Sequence, residues 1–190
     1  MDIRKQLLKE QSKKNCNLII GFIGSNNVRF EELVQVYLEG PYRVTQRAAW
    51  PLSYCVQRHP LLVVPHLKSL LDFVSRSNSP VAVKRNTMRL LQFIEIPGKW
   101  QGKVANICFG FMANHKETIA VQVFAMTVLF NLAKAHPEIG RELEVLIEDR
   151  LPYSSAGFRS RGIKILKQLR SNDFPKWRGF ITRIANFQLD

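Results

Sequence analysis

The chain repeats itself, and the length of the repeat limits the folds open to it. A shift of about 38 residues, the scale of a helix-pair repeat, aligns "VTQRAAWPLSYCV" from Val44, "AVKRNTMRLLQFI" from Ala82 and "AVQVFAMTVLFNL" from Ala120. One more such shift adds "FRSRGIKILKQLR" from Phe158. In these columns Arg47 meets Arg85, Val123 and Arg161, while Leu52 meets Leu90, Val128 and Leu166. Apolar positions recur three and four apart in each segment, the stripe of a half-buried helix. A period of this length holds one supersecondary unit whose apolar stripe is buried only against its neighbours.

A second apolar-periodic segment follows each first helix, so each unit reads helix A, turn, helix B, turn. "HPLLVVPHLKSLLDFV" follows the first and "HPEIGRELEVLIEDRL" the third, with His59-Pro60 and His136-Pro137 offset by two repeats. The same offset separates Lys99-Trp100-Gln101-Gly102 from Lys176-Trp177-Arg178-Gly179, which the pattern places at the A–B turns of the second and fourth units. "SRSNSP", "NHKET" and "LPYSSAG" separate the units with turn-forming and capping residues. Upstream of "EGPYR", an amphipathic segment from about Asp2, the run "CNLIIGFIG" and a helix from about Phe30 predict a less regular first unit, as expected of a terminal repeat. No Val/Ile/Thr-rich alternation supports a sheet.

A helix-pair period of about 38 residues falls near the HEAT and armadillo class. "GPYRVTQRAAWPLSYCVQRHPLLVVPHLKSLLDFV" resembles a HEAT repeat, with an entry turn, an Arg-Ala-Ala start to helix A and a helix B ending Leu-Leu-x-x-Val. The resemblance runs from about Val44 to Phe187. It implies an all-α fold, a right-handed α-solenoid of HEAT-like helix pairs forming an armadillo-like superhelix. Residues 1–190 are then one domain, with an irregular cap over 1–43 and repeats at about 44–81, 82–119, 120–157 and 158–190. HEAT units often carry an acidic residue shortly before the helix A arginine. Here Glu39 is distant from Arg47, "SNSPVAVKR" has none, and Val123 replaces the third arginine, so no regular Asp–Arg ladder is expected.

Charge and cysteine usage narrow the setting. The net charge of +13 and pI near 10.1 favour acidic partners, and 46% hydrophobic residues exclude a disordered chain. Cys16, Cys55 and Cys108 form no Cys-x-x-Cys pair and no metal-ligand spacing, which fits a reducing, cytoplasmic location. The charged N-terminus is unlike a secretory signal, and "NLIIGFIG" is too short to span a bilayer, so no membrane partner is expected.

The residues that could bind a partner are few. Arg47, Arg85 and Arg161 would either cap carbonyls between repeats or form a ladder of cations able to track phosphates. Residues 158–190 hold eight basic residues against two acidic, whereas 120–157 hold three against five. The acidic helix "PEIGRELEVLIEDR" is thus expected to interrupt a continuous basic groove. On an ideal helix Lys164 and Lys167 lie close together, Arg159 and Arg170 form a second pair, and Arg161 falls between. Trp100 and Trp177 could stack on bases or seal corners between helices, the recurrence favouring packing. His59 and His136 sit at helix ends, where capping outweighs catalysis, and His66 and His115 lack a carboxylate at ligand spacing. No nucleophile elbow, phosphate loop, zinc-protease motif or dinucleotide fingerprint occurs, and neither cofactor nor metal is expected. The sequence therefore favours a non-catalytic adaptor presenting an extended surface to a protein. The alternative is a nucleic-acid binder, or an enzyme similar to the HEAT-like DNA alkylation repair glycosylases in repeat type and charge, with no residue matching that family's site.

Overall fold

The structure, a computed structural model, describes residues 1–172 and 174 of the 190-residue chain. Trp177 and the cations beyond Arg170 lie outside the described residues, as does most of the expected second half of the last unit. The helices in chain order are α1 (Ile3–Lys9), α2 (Lys13–Ile23), α3 (Asn27–Glu39), α4 (Tyr42–Arg58), α5 (Leu67–Val74), α6 (Val81–Leu91), α7 (Gly98–Ala113), α8 (Ile119–Ala133), α9 (Pro137–Arg150) and α10 (Ala156–Leu169).

They form two layers. In the A layer α2, α4, α6, α8 and α10 pack side by side in that order. In the B layer α3, α5, α7 and α9 each pack against the A helix that follows, so the layers interlock along an all-α solenoid. Within 1–43, the expected irregular cap, α2 and α3 already take places in the two layers, and α1 alone stands outside them. Asn15 anchors α1 by donating from Nδ2 to the carbonyls of Gln6 (2.9 Å) and Glu10 (2.8 Å) while accepting from Gln6 (2.6 Å).

Local chemistry sets the boundaries. Asp2, Ser12, Asn26 and Ser155 each accept a backbone N–H three residues on, satisfying orphan donors at helix starts. Pro41, Pro80 and Pro97 precede α4, α6 and α7, where the fixed proline φ suits the extended entry. The two His-Pro turns match closely: His59 has φ −135°, ψ 75° and His136 φ −130°, ψ 80°. Their sequels differ. Pro137 opens the regular helix α9, whereas the helix expected after Pro60 is divided into a 3-10 segment, Pro60–His66, and the short α5. The cause is Pro65, which lacks an N–H and clashes with the preceding turn.

The repeat columns become the core of the A layer. Leu52, Leu90 and Val128 are fully buried and Leu166 is 6% exposed, each at the same place on successive A helices. α8, apolar nearly all round, lies between α6 and α10 with α7 and α9 behind it. The Lys-Trp-x-Gly segment is not a turn: Lys99, Trp100, Gln101 and Gly102 belong to the start of α7, entered through Pro97. Trp100 is half-buried against the core, with the Lys99 Nζ 5.6 Å from its ring centre.

Candidate binding face

Charge divides by layer. α2 supplies Lys13 and Lys14, α4 Arg43, Arg47 and Arg58, α6 Lys84, Arg85 and Arg89, and α10 Arg159, Arg161, Lys164 and Lys167. With α8 uncharged, the five A helices of the described residues hold twelve cations and no Asp or Glu. The four B helices hold nine acidic residues against six basic. The acidic helix is α9, so it lies in the opposite layer and does not cut the A face as the linear order of charges had implied. What separates the basic helices there is α8, which offers Phe124, Thr127 and Asn131 instead of charge.

Two grooves open on this face. The first, a 640 Å³ cleft between α4 and α6, is lined by Tyr42, Gln46, Trp50 and Tyr54 of α4 and by Val81, Ala82, Arg85, Asn86 and Arg89 of α6, together with Gln11 and Phe124. The Trp50 and Tyr54 ring centres are 6.4 Å apart, and the Arg89 guanidinium lies 4.4 Å from the centre of the Tyr54 ring. Hydrogen bonding from Arg89 holds the Tyr54 phenol below the ordinary tyrosine pKa. The second groove, 470 Å³, runs between α8 and α10 and is lined by Thr127, Phe130, Asn131, Arg161, Lys164, Ile165, Lys167 and Gln168. Neither lining contains a carboxylate.

The arginine column meets three different fates. Arg47 donates to the Leu7 and Leu8 carbonyls (2.9 and 3.0 Å), capping the end of α1. Arg161 donates to Thr127 Oγ1 (3.1 Å) across the second groove. Arg85 is exposed in the first groove, with no hydrogen-bond or ion-pair partner among the described residues. Equivalent spacing does not produce equivalent roles, because each arginine meets a different upstream neighbour.

Around α10 the five cations separate. Arg161, Lys164 and Lys167 line one groove, whereas Arg159 donates to the Ser154 carbonyl (2.9 Å) and Arg170 pairs with Glu144 (2.7 Å) and Glu148 of α9. Lys84 also turns inward, to Glu117 at 2.8 Å. Trp100, in the B layer, is not brought together with the arginine column. Two of the four histidines take up structural contacts: His136 Nε2 bonds Gln101 Oε1 at 2.6 Å, and the His66 ring lies 5.8 Å from that of Phe30. Trp50, Tyr54 and Arg89 escaped sequence reasoning, although Trp50 lies three residues after Arg47 and four before Tyr54, a helical stripe visible in the text.

The B layer carries a groove of another kind, 680 Å³ between α7 and α9, with Phe109, Ala113, Val145 and Leu146 among Arg141, Glu142 and Asp149. The described residues contain no cluster of His, Cys, Asp and Glu able to hold a metal, and no helix among them is long and apolar enough to cross a membrane.

No curated protein matches this chain. Among crystal structures, an engineered protein from the Northeast Structural Genomics Consortium is similar in fold, with a TM-score of 0.56 at 11% identity over 88% of each chain. The HEAT repeat domain model matches residues 3–169. Ten helices among the described residues, A helices stacked at a regular period and that match lead to one assignment: the chain belongs to the HEAT repeat family.

Proposed function

We propose that this protein is a non-catalytic scaffold that holds an acidic macromolecular partner along the outer face of its A helices. The observation that carries the reading is the layer segregation of charge: twelve cations and no carboxylate on the A helices, against an acidic excess on the B helices. Charge scattered at random for solubility would not divide by layer. A face of one sign draws in a partner of the other and raises its association rate. A hydrolase of the repair-glycosylase type would place a carboxylate where charge develops on the substrate, and the lining of these grooves offers none.

The B-layer groove supports a second reading, protein docking, because its apolar floor is rimmed by charges of both signs and Val145 is 66% exposed. The A face is the stronger candidate, since its chemistry extends over several helices.

Heparin chromatography tests the proposal. Arg85→Gln, Lys164→Gln and Lys167→Gln together should lower the salt needed for elution markedly. Neutralising Lys68, Lys99 and Lys103 in the B layer removes the same charge and should shift elution little. Equal shifts from the two triple variants would show that net charge, not the A face, governs binding.

A further inference from the structure

We infer that the partner of the A face is single-stranded nucleic acid, with phosphates at Arg85, Arg161, Lys164 and Lys167 and bases received at Trp50 and Tyr54. The inference rests on the scaffold reading above and adds the chemistry of the partner.

Three features of the face point the same way. First, the cations are placed to meet a long anion. Helices packed about 8–10 Å apart set α4 and α10, three steps apart, at about 25–30 Å, and both grooves lie within that stretch. Second, aromatic rings accompany the cations. Trp50 and Tyr54 line the same 640 Å³ groove as Arg85, a volume within the range of small-ligand clefts. Base-on-aromatic stacking is the usual sequence-tolerant contact of single strands, and guanidinium planes such as that of Arg89 extend it. Third, the cationic surface is interrupted. α8 places uncharged Phe124, Thr127 and Asn131 between the basic helices. A duplex presents stacked bases that aromatic rings cannot reach, and its affinity comes largely from phosphate neutralisation. A flexible strand tolerates the gap and uses the rings. An acidic polypeptide would use the cations but has no purine or pyrimidine to lay on Trp50 and Tyr54.

The test is fluorescence anisotropy of the intact protein with three labelled probes: an oligothymidylate of about 16 nucleotides, matched to the upper site size of single-strand folds, the duplex of equal length, and poly-glutamate of similar charge. The oligothymidylate should bind at least about tenfold tighter than either other probe, since stacking of one base contributes about that factor. Its log affinity should fall against log salt with a slope of about −3, from four contacts at about −0.7 each. Lys164→Gln with Lys167→Gln should flatten that slope by about 1.4 units. Trp50→Leu and Tyr54→Leu should each weaken binding about tenfold while leaving the slope unchanged. Both rings are half-buried against the core, and a thermal melt of each variant shows whether the fold is kept.

Equal binding of the duplex overturns the single-strand assignment. Equal binding of poly-glutamate, with the aromatic variants at parental affinity, overturns the nucleic-acid assignment and leaves the scaffold reading intact. If no polyanion binds at low salt, both readings fall.

Discussion

Removal of Arg150 tests how neighbouring units of the stack are joined. This residue ends α9, is 9% exposed, and joins four helices. Its Nη1 donates to the Met112 carbonyl at the end of α7, its Nη2 to Gln122 Oε1 of α8 at 3.3 Å, and its guanidinium lies 5.0 Å from the centre of the Phe158 ring of α10. The Met112 carbonyl is in the last turn of its helix, where no intrahelical donor reaches it. Arg150→Ala leaves that buried acceptor unmet, at about 1–3 kcal/mol. It also removes a partly desolvated guanidinium–ring contact of about 0.5–2 kcal/mol and the packing of the side-chain stem, about 0.8 kcal/mol for each buried methylene. Relief of the buried charge's desolvation offsets part of this. The net expectation is a loss of about 3 kcal/mol, a large share of the roughly 5–15 kcal/mol typical of a domain. Arg150→Met keeps the stem and gives up the charge, so it should cost about half as much. Urea unfolding followed by helical circular dichroism measures both, and a cycle with Phe158→Leu isolates the ring contact. Arg150→Ala within about 1 kcal/mol of the parent would refute the reasoning.

Other perturbations are equally specific. Leu52→Ala and Leu90→Ala should each cost about 2–5 kcal/mol in urea unfolding, as both side chains are fully buried at one column of the repeat; near-neutral results would undo the stacking argument. Gly40 sits where a Cβ would lie 2.5 Å from the Val36 carbonyl oxygen, so Gly40→Ala should destabilise by about 1–3 kcal/mol. Gly110 of α7 has open space around it, and Gly110→Ala should stabilise by up to about 1 kcal/mol. Hydrogen bonds from Lys103 and then Lys68 hold the Asp72 carboxyl at about 2, below its ordinary value of 3.8. Stability from this group is therefore present above pH 4 and lost as pH falls toward 2, and Asp72→Asn should flatten that part of an acid titration. Burial raises Cys16 to about 11 and Cys55 to about 12 from 9.0. Their contribution is complete below pH 9 and declines as pH rises toward 12, and a thiol reagent at pH 8 should react only after denaturant opens the fold; rapid labelling of the native protein would contradict the burial.

Whatever local periodicity encodes was legible in the linear text. A regular recurrence of apolar stripes leaves each helix pair unable to bury its surface alone, so stacking and the Leu52–Leu90–Val128 column follow from the text. Prolines alone do not tell where a helix breaks: Pro51 sits inside the continuous α4, whereas Pro65 falls in the 3-10 segment that divides the helix expected after Pro60. The assignment of partners was not in the text. Arg47 and Arg85 occupy one column, yet one closes α1 from far upstream and the other is open in a groove. Charge counted along the chain placed an acidic barrier at α9, because a linear window mixes helices that face opposite ways. Only the stacking of alternate helices sorted those charges, setting the twelve cations on one layer and the acids of α9 on the other. The physical reason is that side-chain periodicity is set within one helix, whereas the sign of a surface is the sum over helices that are neighbours in space and a full repeat apart in sequence.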